Sequence, residues 1–253
     1  MSSGGGQEGT DVDARTGAVM FRDRLLRRLY LPAYGVGEAA QLAGIHRTTV
    51  SRWFYAGSSR PGRRCGRVLA DKDQGCPLSY LQLVEVAFVA TLRNMGVQLS
   101  RIRVARDYLR KIFDVEYPFA MRRLKTDGAR ILIDLRAEEG QWINRLLVEA
   151  SAHGQIIWAE PILDRIEEFD WDDVRQLAMR WFPRGRNARI VVDPQIQFGA
   201  PILRDSAVPT LVVKGRFEAG ESMKEIEEDF GIDEAAIREA LVFEGIQPLV
   251  AVA

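Results

Sequence analysis

Thr48, Ser51, Arg52 and Tyr55 recur at i, i+3, i+4 and i+7, the spacing that places side chains on one face of a helix. Hydroxyls and a guanidinium on one helical face can donate to phosphates and to base edges, as a helix in the major groove of duplex DNA must. His46, Arg47 and Thr49 flank the set, and His46, near the helix start, reads as a cap or a phosphate-side contact. The loop SSRPGRRCGRV then brings Arg60, Arg63, Arg64 and Arg67 together, a density that suits a wing lying along the phosphate backbone. The candidate DNA-binding residues are therefore His46, Arg47, Thr48, Thr49, Ser51, Arg52, Arg60, Arg63, Arg64 and Arg67. A helical hairpin with a solvated polar face and a solvated basic loop are the bland alternatives.

Other chemistry finds less material. Glu160, Asp164, Glu167, Glu168, Asp170, Asp172 and Asp173 crowd one segment. Such carboxylates can hold Mg²⁺ for phosphoryl chemistry, but a run of this kind is more often a solvated helix face with its loop. Gly62-Arg63-Arg64-Cys65-Gly66 lacks the lysine and helix start of a phosphate-binding loop. With only His46 and His153 for histidine and Cys65 and Cys76 for cysteine, neither a histidine-based triad nor a four-ligand metal site is supplied. No catalytic residue, cofactor or metal is expected, and the chain reads as a non-enzyme.

The elements that would position the basic set follow from periodicity. Residues 1–16 read as a disordered tail and Phe21–Leu29 as a short helix. Tyr34–Phe54 reads as two short helices broken at Gly44, with Val36, Ala39, Ala40 and Ala43 lining the first and Val50, Trp53 and Phe54 facing inward on the second. After the Ala56–Pro77 loop, Ser79–Met95 is a helix capped by Ser79 and stopped at Gly96, and Ser100–Phe113 is a second one starting at a serine. Ala129–Leu135, Gln155–Trp158, Leu177–Phe182 and Arg189–Val192 are strand candidates, Pro161–Phe169 an acidic helix, and Val208–Glu244 helical with breaks at Gly220 and Gly231. Trp53 reads as core, whereas Trp142, Trp158, Trp171 and Trp181 could build a core or an interface.

Charge separates the chain into two halves. The 35 basic and 35 acidic residues of the 253 cancel overall. Residues 21–114, however, hold 17 Lys and Arg against 7 Asp and Glu, and residues 115–253 hold 17 against 25. The basic half suits nucleic acid. Within the acidic half, Ser222-Met223-Lys224-Glu225 is a capping-box signature, Gly231 breaks the helix, and Asp233 can cap the next. This second helix pair, Glu221–Glu244, carries nine carboxylates against Lys224 and Arg238. Phosphate would repel it, so it reads as a protein-interaction or dimerisation module. The Gly/Ser-rich start has no apolar core, and Leu78–Leu92, interrupted by Gln82 and Glu85, is too short to span a bilayer. The expected setting is the cytoplasm, without a membrane partner.

Two resemblances extend this reading. Residues Tyr34–Arg106 resemble the winged helix-turn-helix head of MerR-type regulators, through YGVGEAAQLAGIHRTTVSRW and LRNMGVQLSRIR. The family's Leu-Arg before an aromatic stands here as Val50-Ser51-Arg52-Trp53, and Asp114–Pro118 interrupts where the family has a long coiled-coil helix. Metal or drug sensing therefore does not carry over. Arg189–Leu241 resembles a small family of antitoxin-associated domains encoded beside VapC-like toxins, which are PIN-like ribonucleases. The landmarks are Ile190–Val192 and Ile196–Phe198 as a strand pair, Gly199-x-Pro201-Ile202, Val208-Pro209, Ala219-Gly220-Glu221-Ser222 and Gly231-Ile232. That family's Arg-Gly-Thr-Arg stretch is Arg204-Asp205-Ser206-Ala207 here.

The expected fold is mixed, mainly α with short β segments. It places a disordered tail over residues 1–20, a winged helix-turn-helix over 21–114, a mixed central segment over 115–188, and a small-strand and helix-turn-helix module over 189–253. The resemblances imply a VapB-like antitoxin that neutralises a PIN-like ribonuclease toxin and, as a homodimer, represses its operon by binding double-stranded operator DNA. The alternative is a ligand-responsive regulator without a toxin partner.

Overall fold

Ser79 starts the helix around which the chain is built. Its hydroxyl accepts from the Gln82 amide at 3.2 Å while the Gln82 side chain accepts from the Ser79 amide at 2.9 Å, so two otherwise orphaned donors are satisfied. In this computed structural model, which describes residues 24–54, 68–69, 76–129, 147–149 and 156–247, every residue from Tyr80 to Leu92 of that helix is buried. A helix apolar all round must be enclosed on every side, and the remaining elements supply the enclosure.

In chain order these are α1 (Arg24–Tyr30), β1 (Pro32–Tyr34), α2 (Val36–Leu42), α3 (Arg47–Phe54), β2 (Leu78–Ser79), the central α4 (Tyr80–Asn94) and α5 (Leu99–Phe113). There follow a 3-10 turn at Pro118–Ala120, β3 (Leu147–Glu149), β4 (Ile156–Trp158), α6 (Glu160–Glu167), β5 (Phe169–Trp171), β6 (Ala178–Trp181), β7 (Ile190–Val192) and β8 (Pro201–Leu203). The helices α7 (Thr210–Glu218), α8 (Met223–Phe230) and α9 (Glu234–Phe243) come last and contact one another. β5–β8 form an antiparallel sheet in sequence order, β3 pairs with β4, and β1 pairs with β2. The fold is thus mixed helical with small sheets.

Aromatic stacking joins α4 to the four-stranded sheet. Phe88 of α4 stacks on Phe119 at 5.8 Å and on Phe169 of β5 at 5.7 Å, and Phe169 stacks on Trp181 of β6 at 5.6 Å. Trp181 and Trp158 are core residues; Trp158 donates to the Leu124 carbonyl at 3.0 Å, whereas Trp171 is half-buried. Trp142 and His153 lie outside the described residues.

A buried ion pair lies within this core. Glu85 of α4 pairs with Arg106 of α5, both almost fully buried. The other Glu85 oxygen accepts from the Phe119 amide at 2.9 Å, and Arg106 donates to the Glu116 carbonyl at 2.7 Å. Burial pushes the Glu85 carboxyl up and Arg106 opposes the rise. The pair fixes how α5 and the following turn dock on α4.

Several expectations are corrected. α5 starts at Leu99 with Gln98 before it, so Ser100 lies inside the helix and is not its cap. The acidic helix ends at Glu167, and Phe169 opens β5. The partner of β7 is Pro201–Leu203, not Ile196–Phe198. Asp193 turns the chain by accepting from the Gln195 amide at 2.8 Å, and Gln197 and Phe198 adopt positive φ values of 47° and 56°, which a paired strand cannot contain. Beyond Ala129, the Ala129–Leu135 run lies outside the described residues.

The acidic run of residues 160–173 is more than a solvated face. Glu167 pairs with Lys125, Glu168 with Arg165, Asp170 with Arg180 and Arg186, Asp172 with Arg175, and Asp173 with Arg122. Trp181 also donates to Glu168 at 2.8 Å. Those five carboxylates tie β5 and its flanks to their surroundings.

Candidate nucleic-acid interface

The candidate interface is built on α2, a tight turn and α3. At the start of α2 the Glu38 carboxylate accepts from the Gly35 amide at 3.3 Å. Ala39, Ala40 and Leu42 are buried, and the two small alanines let another helix approach closely. The helix closes with Ile45 N donating to Ala40 O at 2.9 Å and Gly44 N to Gln41 O at 3.2 Å. These two bonds define a Schellman end. They require the left-handed backbone that Gly44 adopts at φ 66°.

α3 begins directly after this turn. Thr49 N donates to the His46 carbonyl at 2.9 Å, Thr48 N donates to His46 Nδ1 at 3.3 Å, and the Thr48 hydroxyl lies 2.9 Å from Nδ1. His46 therefore caps α3, with Nε2 as the ring's remaining polar atom. Val50, Trp53 and Phe54 are buried. Val68 and Leu69, also buried, donate their amides to the Trp53 carbonyl at 3.1 and 3.3 Å, which fixes the end of α3 against the chain returning from the loop.

The outward face is polar. His46, Arg47, Thr48 and Arg52 are exposed, and Thr49 and Ser51 are half-buried. The inward set falls as the helical spacing predicts, and of the outward set Thr48 and Arg52 are exposed. Tyr55, Arg60, Arg63, Arg64, Cys65 and Arg67 lie outside the described residues.

At the other end of the chain, Ser222 and Glu225 form the expected capping box, with Ser222 N donating to the Glu225 carboxylate at 2.7 Å and Glu225 N to the Ser222 hydroxyl at 3.3 Å. Gly231 closes α8 at φ 62°, and Asp233 caps α9 by accepting from the Ala236 amide at 2.7 Å. Arg189, at the edge of β7, pairs with Asp233 at 2.5 Å and donates its amide to Glu239 at 2.7 Å, tying α9 to the sheet.

Residues that sequence reading did not single out bring the two ends together. Gln41 of α2 donates to the Phe243 carbonyl of α9 at 3.3 Å. Burial pushes the Glu38 carboxyl up, and Glu244 adds to the rise while the Gly35 amide opposes it. Buried residues from α2, α3, α4, the sheet and α9 belong to one continuous apolar cluster.

Comparison with known proteins finds similarity in both sequence and fold. A family model described as a protein of unknown function, DUF433, matches residues 190–243, the span from β7 through α9. A protein of Mycobacterium tuberculosis (strain ATCC 25618 / H37Rv) named "Putative antitoxin VapB45" is 25% identical over 234 residues, covering 85% of this chain and 94% of its own. The crystal structure of Rv2018 from Mycobacterium tuberculosis superposes with a TM-score of 0.68 at 24% identity, covering 85% of this chain and 99% of that one. The fold is shared with that protein. Among the described residues, no helix is long and apolar enough to cross a membrane.

Proposed function

We propose that this chain is a cytoplasmic VapB-like antitoxin: a binding protein, not an enzyme, that neutralises a PIN-like ribonuclease toxin and represses its own operon. In this reading α2, the Gly44 turn and α3 form a MerR-like winged helix-turn-helix, with α3 in the major groove. Arg47, Thr48, Ser51 and Arg52 meet base edges or nearby phosphates, His46 and Thr49 lie beside them, and Arg60, Arg63, Arg64 and Arg67 grip the backbone. A homodimer matches a two-fold operator. α8 and α9 form the second helix-turn-helix, whose acidic surface suits a basic toxin rather than DNA.

The observation that carries the proposal is the two-sided character of α3: an apolar face locked by Val50, Trp53 and Phe54 behind an exposed His46, Arg47, Thr48 and Arg52. Likeness to a protein bearing an antitoxin name over 85% of the chain supports a toxin partner. Fluorescence anisotropy with duplex DNA from upstream of the gene tests it. T48A/R52A is expected to weaken specific binding at least tenfold, since each good base contact is worth about 1–3 kcal/mol. Equal affinity for upstream and scrambled duplex, unchanged in the variant, would refute the α3 assignment.

A further inference from the structure

An open cleft of about 720 Å³ lies between α1 and the β5–β6 end of the sheet, within the size range of small-molecule sites. Arg24 and Arg28, one helical turn apart on α1 and so on the same face, line one wall, and Trp171, Arg175 and Arg180 line the other. The carboxylates in the cleft are committed. Asp170 lies 3.2 Å from Arg180 and 2.8 Å from Arg186, and Asp172 lies 2.9 Å from Arg175 while accepting the Val174 and Arg175 amides at 2.8 and 2.6 Å. Arg28 is spent differently: it donates to the Pro194 and Gln195 carbonyls and lies 5.9 Å from the Phe198 ring. It makes no ion pair at contact distance among the described residues, and Asp193 offsets its charge only from further away. Arg24 is exposed and meets no carboxylate among the described residues. Two positive charges thus face an otherwise neutralised cleft. Trp171 spends its indole N–H on the Ile166 carbonyl at 3.2 Å, so what it has left to offer a ligand is ring surface.

We propose that this cleft binds a nucleotide, with phosphate oxygens on Arg24 and Arg28 and the base packed on Trp171. Guanidinium groups pair phosphate strongly and in fixed geometry, and a base offers an indole ring a flat partner of matching size. An acidic peptide would use the arginines but leave the ring unengaged, so the nucleotide is the better fit. The site lies apart from α3 and extends the proposed function without depending on it.

Calorimetric titration of the full chain with adenosine diphosphate, inorganic pyrophosphate, adenosine and a glutamate-rich peptide tests this without DNA or toxin present. The diphosphate is expected to bind, pyrophosphate to bind several-fold more weakly, and adenosine to bind weakest. R24A should weaken the diphosphate at least fivefold, and R24E should abolish its binding, with the melting temperature unchanged because Arg24 is exposed. W171A should weaken the diphosphate while leaving pyrophosphate binding intact, which also shows that the variant is folded. No binding of the diphosphate, an affinity unchanged in R24A and R24E, or tighter binding of the peptide would overturn the proposal.

Discussion

The Gln41 side-chain amide donates to the Phe243 carbonyl at 3.3 Å, a contact between residues 202 apart in sequence. Gln41 belongs to the helix that precedes α3, and Phe243 ends the last helix of the acidic half. Arg184 lies over the Phe243 ring at 5.5 Å, and Thr210 donates to Glu244 at 2.5 Å, so this end of α9 is held from three sides. Gln41 thus links this end of α9 to α2. That gives a toxin bound near α9 a physical route to the DNA-binding face in the proposed function.

Salt dependence separates the two parts of the proposed DNA interface. R63A/R64A is expected to weaken binding to specific and scrambled duplex alike and to lower the slope of log K against log salt by about 2, roughly one per lost phosphate contact. T48A should narrow the difference between specific and scrambled duplex and leave the slope unchanged. The check is a set of anisotropy titrations over a range of salt; an unchanged slope in R63A/R64A contradicts the wing.

Gly199 is placed where a side chain cannot go. A Cβ there would lie 2.1 Å from the Tyr34 hydroxyl oxygen, with φ at 84°, and the Tyr34 ring is itself buried. G199A is expected to cost about 2–4 kcal/mol, from overpacking plus left-handed strain. Urea denaturation measures it, and Y34F/G199A should remain destabilised because the backbone strain persists.

The Glu85–Arg106 pair makes an asymmetric prediction. R106A leaves a buried carboxylate uncompensated and should cost about 3–5 kcal/mol, whereas E85L/R106M should recover much of the loss. Burial holds the Glu85 carboxyl above its ordinary value. Charging it in the fold therefore costs stability as pH rises through that raised value and costs nothing once pH is below the ordinary one. The R106A deficit should accordingly be smaller at pH 4 than at pH 7, as thermal unfolding at the two values would show.

Asp233 has the opposite sign. The Arg189 side chain and the Ala236 amide hold its carboxyl below the ordinary range. Its contribution is present above the ordinary aspartate value, about 3.9, and is lost as pH falls through the lowered folded value. D233N should flatten that acid limb and move the melting temperature little between pH 3 and pH 5, while the unaltered chain loses stability over the same interval.

Local order was legible in the sequence and long-range order was not. The breaks at Gly44, Gly96, Gly220 and Gly231 all take positive φ, and the caps at Ser79, Ser222 and Asp233 form as their residue types direct. The buried face of α3, Val50, Trp53 and Phe54, follows from helical spacing alone. β1, β2 and β5 are two or three residues long, too short to show a period of two, and their pairing depends on partners distant in sequence. Glu85 looked like an interruption in an apolar run; its partner Arg106 comes from the next helix. The cleft arginines Arg24 and Arg28 meet Arg175 and Arg180 only after α1 is folded against the sheet.

Inhibition of the toxin tests the central claim most directly. RNA cleavage by the PIN-like nuclease that the proposed function assigns as partner would be followed while the full chain is titrated in. The account predicts that cleavage falls to background near equimolar chain and that the two proteins elute together. Undiminished cleavage at tenfold excess of correctly folded chain, with separate elution, would contradict it.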